Sequence, residues 1–214
     1  VDSSSTVGTI NWSFNSGNEY FNYLSNGQIL TLTYTIKATD SASVDSANQT
    51  IVITITGTND APTISVGTED SVNATLTETN STLTATDTIT INEIEPNDTI
   101  TATVESVSVS SSSSPTISNL ALPTNAILKE MLKLNNSSLP VSLLTDATNT
   151  SEVLTWTFDS TTEHFDKIAS GETLILDYVV KISDDANPSK VDTKVIKITI
   201  NGANDAPVID TYTS

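Results

Sequence analysis

The sequence has no cysteine and no arginine, a single histidine, and only 8 basic residues against 26 acidic ones, for a formal net charge of −18 over 214 residues. Each shortage removes a class of function. Without thiols there is no disulfide framework, no zinc ribbon and no cysteine nucleophile, and one imidazole, His164, leaves little room for histidine chemistry. A nucleic-acid binder needs a basic face and an anionic membrane would repel this chain, so neither is an expected partner. No run of about 20 apolar residues occurs, so no helical membrane span is expected. Val1 does not open a charged-then-apolar leader, and the chain reads as a segment from inside a longer protein.

Hydroxyl groups take the place of what is missing: 37 Thr and 29 Ser make up about 31% of the chain, beside 5% aromatic residues. Leu, Ile, Val and Phe still number 56, about 26%, above the level of an unfolded polar chain. The chain can build cores, though lean ones. An acidic, Thr-rich, cysteine-free surface fits an extracellular bacterial protein that does without disulfides, although the cysteine count alone would equally allow the cytosol.

A long internal repeat organises the sequence. Trp12, Phe14, Phe21, Gly27, Leu30, Leu32, Tyr34, Lys37 and Asp40 return 144 residues later as Trp156, Phe158, Phe165, Gly171, Leu174, Leu176, Tyr178, Lys181 and Asp184. At a shift of 145, Ile51, Ile53, Ile55, Gly57, Asn59, Asp60 and Pro62 return as Ile196, Ile198, Ile200, Gly202, Asn204, Asp205 and Pro207. The implied boundaries are residues 1–60 as the C-terminal part of one repeat, 61–206 as a complete repeat, and 207–214 as the start of a third. Residues 1–60 lack their own N-terminal strands, so they must stay partly open, pair with another molecule, or compete with residues 145–206 for the strands of 62–110; strand exchange into a swapped dimer is a risk of such a cut.

Apolar residues alternate with threonine in 28–38 and 51–56 and again in 172–182 and 191–200, which is the strand period. Leu154, Trp156 and Phe158 mark a shorter strand. Residues 63–66, Val72–Leu76, Leu83–Ala85 and Ile100–Val104 read as further strands, and the change of phase to Val107 and Val109 predicts a bulge. After Pro123 the spacing of Ile127, Leu128, Met131, Leu132 and Leu134 predicts one helix capped by Thr124 or Asn125 and ending at Asn135 and Asn136. The serine run 110–114 reads as a loop tip. About seven strands with threonine-rich outer faces predict an all-β, Greek-key β-sandwich of immunoglobulin-like or cadherin-like type, with the helix in its long crossover.

Strand parity sorts the acids. The junction Asn59-Asp60-Ala61-Pro62 enters at one pole, taken as the top, with Asp87, Glu93, Glu95, Asp98, Asp184 and Asp185; Glu69, Asp70, Glu163 and Asp166 fall at the other. A ring of six like charges beside a charged junction repels itself and calls for a counter-cation. Calcium suits it, because it accepts six to eight oxygen ligands without strict geometry. The lack of cysteine and the single histidine argue against zinc or copper.

The stretch Val52-Ile-Thr-Ile-Thr-Gly-Thr-Asn-Asp-Ala-Pro62, with its near copy Ile196-Lys-Ile-Thr-Ile-Asn-Gly-Ala-Asn-Asp-Ala-Pro207, resembles the junction of VCBS or cadherin-like tandem repeats in large bacterial RTX-type surface adhesins. The resemblance covers the whole chain, including the Trp-x-Phe and Gly-x-x-Leu-x-Leu-x-Tyr strands. It implies calcium held between modules by Asn59 and Asp60, and again by Asn204 and Asp205. The middle acidic element falls on Glu93, Glu95 and Asp98, where Glu stands for the usual Asp. The late-strand acid falls on Asp184, with Asp40 in the truncated copy. Glu19, Glu69 and Glu163 are candidates to complete such sites from the lower pole of a module.

Plainer roles are also open. Asn-Asp before Ala-Pro is good turn chemistry, Trp12 and Trp156 read as core residues, outward threonine ordinarily solvates a strand, and His164 reads as an exposed loop residue. Glycosidases need paired carboxylates across a cleft, and no enzyme activity is expected. The functional expectation is a structural extender of a bacterial cell-surface adhesin, stiffened by calcium at its junctions, whose partners are the neighbouring repeats. Its modules, roughly 35 Å long, would project a ligand-binding tip for adhesion or biofilm formation. The alternative is a carbohydrate- or protein-binding module using loops 110–150.

Overall fold

Wherever apolar and hydroxylated residues alternate for five positions or more, the backbone of the computed structural model is extended; it describes residues 8–96, 98–111, 122–137, 139–144 and 149–207. In the truncated copy β1 (Ile29–Ile36) and β2 (Gln49–Thr56) pair antiparallel, and among the described residues they form a two-stranded sheet. The complete copy contains β3 (Thr63–Ser65), β4 (Asn73–Thr77), β5 (Thr84–Asn92), β6 (Ile100–Ser111), α1 (Asn125–Glu130), β7 (Leu132–Leu134), β8 (Val141–Leu143), β9 (Ser151–Asp159), β10 (Thr173–Ser183) and β11 (Val191–Asn201). One sheet has the order β4-β11-β10-β6-β8 and the other β3-β5-β9-β7. The two face each other across one core, so the fold is an all-β sandwich. Three features make it immunoglobulin-like: the sheet built from the first, second and late strands, the opposing sheet of β6, β10 and β11, and an entering strand divided between the sheets.

The core is the inward half of each alternation. In β10 Leu174, Leu176, Tyr178, Val180 and Ile182 are fully buried, and in β11 Ile196, Ile198 and Ile200 lie beside them on the same wall of the core. Trp156 and Phe158 of β9 close the opposite wall. The indole N–H of Trp156 donates to Ser71 O (2.8 Å), which ties the crossing between β3 and β4 to the centre of the sandwich. The predicted bulge is present. Register slips between Val179 and Val180, where β6 passes from Val104 to Ser106 and leaves Glu105 unpaired, and this shift of parity keeps Val107 inside.

Three expectations change. The helix stops at Glu130, because Leu132 and Leu134 pair across to Phe158 and Trp156 as β7, with Lys133 turned out. Helical spacing and a helix followed by a strand both bury Leu128, Met131, Leu132 and Leu134, and only the exposed edge of β9 decides between them. His164 is partly buried rather than exposed. Trp156 is 1% exposed as a core residue, but Trp12 is 58% exposed, since nothing of the described chain covers it. Of the serine run, 110 and 111 finish β6 and 112–114 lie outside the described residues, as do 1–7 and 208–214.

One detail repeats in both copies. A Cβ on Gly57 would sit 2.2 Å from Leu24 O and 2.4 Å from Ser25 O; on Gly202 it would sit 2.2 Å from Ala169 O and 2.3 Å from Ile168 O. The last strand therefore leaves each module clamped against its own lower loop. Gly202→Ala is expected to lose about 1–3 kcal/mol by overpacking, lowering the melting temperature by several degrees. An unchanged thermal melt would mean that the 168–169 loop gives way freely.

Candidate metal centre

The top pole is assembled from three chain crossings. β5 ends at Asn92 and releases residues 93–99, β10 ends at Ser183 and releases 184–190, and the linker 57–62 crosses between them. Side chains lock these crossings together. Asn59 donates from Nδ2 to Asp184 Oδ2 (3.1 Å) and Pro188 O (2.9 Å). Asp60 N–H donates to Glu95 Oε2 (2.9 Å). Glu93 Oε1 accepts from the N–H groups of Ile94 and Glu95 (2.7 and 3.1 Å). Asp184 accepts from Lys190 N–H with both oxygens (3.0 and 3.1 Å), and Asp185 accepts from Thr99 N–H (2.9 Å).

These bonds use one side of the cluster and leave the other bare. Asn59 Oδ1, Glu93 Oε2, Glu95 Oε1 and Asp98 Oδ2 are buried with no hydrogen-bond partner. Glu95 is 0% exposed and Glu93 3%. Burial pushes the Glu95 carboxyl up to about 7, with the negative charges of Asp98, Glu93 and Asp60 adding to it and the Asp60 N–H pulling the other way. Glu93 is raised by burial and then by Asp98 and Asp184. Asp98 is raised by burial and then by Asp185 and Asp184. No lysine relieves this, because among the described residues the ion pairs are Lys37–Asp45, Lys181–Glu105 and Lys197–Asp177, all elsewhere. Buried carboxylates without a counter-charge are costly, and they are ordinarily paired, protonated or metal-bound.

Six of the residues singled out from the sequence thus converge: Asn59, Asp60, Glu93, Glu95, Asp98 and Asp184. Among the described residues, however, no group of three His, Cys, Asp or Glu side chains stands ready to hold a metal ion. Asp87, expected in this ring, lies inside β5 opposite Trp156 and caps Ser71 N–H instead (3.0 Å). Asp40, the counterpart of Asp184, is exposed and holds a turn by accepting from Ala42 and Val44 N–H (2.9 and 2.8 Å).

The lower pole departs further from expectation. Glu69 is exposed on the flank, where its neighbour Asp70 accepts from Gly67 N–H (2.8 Å) and bonds the hydroxyls of Thr88 and Thr90. The reason is topological: β4 runs parallel to β11, so the chain crosses sheets at 66–72 and keeps descending rather than turning back. The acid that reaches the lower end is Glu78, which is 1% exposed, accepts from Ala203 N–H (2.7 Å) and has Oε2 buried without a partner. Its sequence signal was an acid directly after the alternation of 73–77. Glu19 and Glu163 behave as true counterparts, each accepting from the N–H of an aromatic two residues on, Phe21 (2.8 Å) and Phe165 (2.9 Å). Asn204 and Asp205 are exposed, and Asn204 Nδ2 donates to Asp205 O (3.2 Å).

No helix among the described residues is long and apolar enough to cross a membrane. No protein-family model matches the chain, and no curated protein matches it significantly. Among solved structures, the periplasmic chaperone SfaE is similar at 6% identity over 67% of this chain and 58% of its own, with a TM-score of 0.35. The extracellular cadherin domains 1–5 of protocadherin gamma B2 are similar at 14% identity over 82% of this chain and 26% of theirs, with a TM-score of 0.35. CfaE, the adhesive subunit of the CFA/I fimbria of enterotoxigenic Escherichia coli, is similar at 11% identity over 85% and 59%, with a TM-score of 0.37. The chain spans under two thirds of each of these three, and neither a function nor a family follows from likenesses this partial.

Proposed function

We propose that this chain is an extender module of a bacterial cell-surface adhesin, and that calcium bound at the Asn59–Asp60 junction stiffens it. One observation carries the reading: four buried oxygens without partners, on Asn59, Glu93, Glu95 and Asp98, gathered where two repeats meet. They are hard ligands, three of them carboxylate and one amide, and they belong to groups that burial and mutual repulsion leave poorly accommodated alone. Calcium tolerates six to eight oxygens in variable geometry, and the long Glu93 and Glu95 arms would have to rotate to turn their free oxygens to one ion. Asp60 and Asp184, already bonded into the same cluster, would orient the linker, with Glu19 contributing from the preceding module. At the second junction Glu78 and Glu163 stand where Asn204 and Asp205 would meet a following module.

A cation at this position links side chains of the linker to both loops of the complete module, converting an acidic hinge into a strut. Sites of extracellular modules typically bind at about 10⁻⁴ to 10⁻³ M, which places assembly under the control of calcium outside the cell. The test is small-angle scattering on the whole chain. Millimolar calcium is expected to lengthen and narrow its distance distribution relative to EDTA; superimposable profiles would leave a plain spacer.

A second reading rests on a groove of about 510 Å³ between α1 and β7, where Ile127 and Leu139 are 52% and 36% exposed beside Met131 and Lys133. This is the surface a carbohydrate- or protein-binding module would use. A glycan or protein array probed in EDTA separates it from the strut, because its binding would not need calcium.

A further inference from the structure

Each copy carries the same tight turn in its lower loop. In the truncated copy Gln28 N–H donates to Ser25 O (2.8 Å) and Ser25 N–H to Gln28 Oε1 (3.1 Å), with Gly27 at φ +76°. In the complete copy Glu172 N–H donates to Ala169 O (2.9 Å) and Ala169 N–H to Glu172 Oε2 (3.0 Å), with Gly171 at φ +87°. A positive φ at the third position of such a turn asks for glycine. The residue before the glycine differs, Ser170 in one copy and Asn26 in the other. Asn26 is exposed, and its Nδ2 donates to Asn187 O (2.7 Å), a bond from the turn of one copy to the 184–190 loop of the next.

Asn26-Gly27 is also a reactive pair, because a residue without Cβ lets its backbone nitrogen come close to the preceding side-chain amide. The Gly27 nitrogen attacks Asn26 Cγ. The new N–Cγ bond closes a succinimide ring, the Cγ–Nδ2 bond breaks, and ammonia leaves with the proton given up by the Gly27 nitrogen. Water then opens the ring at either carbonyl, giving aspartate or isoaspartate, and nothing is oxidised or reduced. The chain contains Asn-Gly twice, and the fold treats the two differently. Asn201 is held on both sides, opposite Thr173 of β10 and Thr77 of β4, and its Oδ1 accepts from Thr173 Oγ1 (3.3 Å). Gly202 N–H donates to Glu172 O (3.0 Å), and its backbone is pressed against the carbonyls of Ile168 and Ala169. Around Gly27 a Cβ would meet nothing within 4 Å. Gly27 N–H donates to Gly57 O (3.0 Å), so the ring closes when that bond opens, and an exposed turn opens at less cost than a strand end locked between two neighbours.

We propose that Asn26 is a site of spontaneous deamidation, and that its conversion to a carboxylate unfastens this turn from the 184–190 loop. The product has no N–H to give Asn187 O, and it brings a negative charge to the pole that already holds Asp184 and Asp185. The reaction needs water and no enzyme, so it loosens the junction with age. It does not rest on calcium.

The test ages the whole chain for weeks in mildly alkaline buffer with EDTA, folded or in urea. Peptide mapping by mass spectrometry is expected to find aspartate and isoaspartate at 26 many-fold sooner than at 201 in the folded chain, and at comparable rates in urea. Small-angle scattering of the aged folded chain is expected to give a broader distance distribution than the fresh chain, matched by fresh Asn26→Asp. Asn26→Ser, which places in this turn the residue the complete copy already accepts there, is expected not to change on ageing. Three results would overturn the proposal: equal conversion at 26 and 201 in the folded chain, an intact Asn26 in the folded chain after the urea sample has converted, or conversion at 26 with no change in scattering.

Discussion

Adding calcium at a hundredfold excess over its dissociation constant is expected to raise stability by about 2.7 kcal/mol, or roughly 5–10 °C in melting temperature for a chain of this size. Glu95→Gln discriminates a ligand from a structural acid. It keeps the shape and the acceptor for Asp60 N–H while removing a buried charge, so the metal-free variant is expected to melt higher than the parent at pH 7.5 yet gain far less from calcium. The pH dependence follows from the same group. Its carboxyl is raised from 4.5 to about 7 in the folded chain, so the folded state holds a proton that the unfolded chain has released, and stability falls as pH rises through that window. Metal-free protein should therefore melt higher at pH 5 than at pH 7.5. Calcium, which binds the ionised form, should narrow or reverse the difference, and Glu95→Gln should flatten the metal-free profile. A parent chain indifferent to calcium, with a profile that rises from pH 5 to 7.5, would remove the metal centre.

The two tryptophans provide the second large contrast. Trp156→Ala removes a fully buried indole and its bond to Ser71 O, at an expected cost of about 3–5 kcal/mol, roughly 6–20 °C in melting temperature. Trp12→Ala alters the matching residue of the repeat, and because that side chain is largely exposed the change is expected to stay within about 0.5 kcal/mol. Differential scanning calorimetry of both variants checks this. Equal losses would show that the truncated copy has found a cover in solution.

Most of the sandwich was legible because β10 and β11 alternate without interruption and the repeat states their pattern twice. The bulge at Glu105 was legible for the same reason, as a single break in phase between Val104 and Val107. What escaped were choices made by partners rather than by local pattern. Residues 131–134 satisfy a helix as well as a strand until the edge of β9 is known, and β8, three residues long, has too little alternation to be seen. At the top pole, parity alone brought together Asn59, Glu93, Glu95, Asp98 and Asp184. It failed at Asp87, which lies inside β5, and at Glu69, and it did not single out Glu78, because counting strands assumes that each reverses direction, and the segment from β3 to β4 changes sheets without doing so.

That change of sheet has a mechanical consequence. β4 lies parallel to β11 over Asn73–Thr77 and Lys197–Asn201, so a pull on the two termini of the complete module drags these strands past each other along their length. Five residue pairings then share the load and must rupture together, rather than peel open singly from one end. A fold used as a tether gains resistance to tension from this pairing of β4 with its last strand, whatever ion occupies its ends.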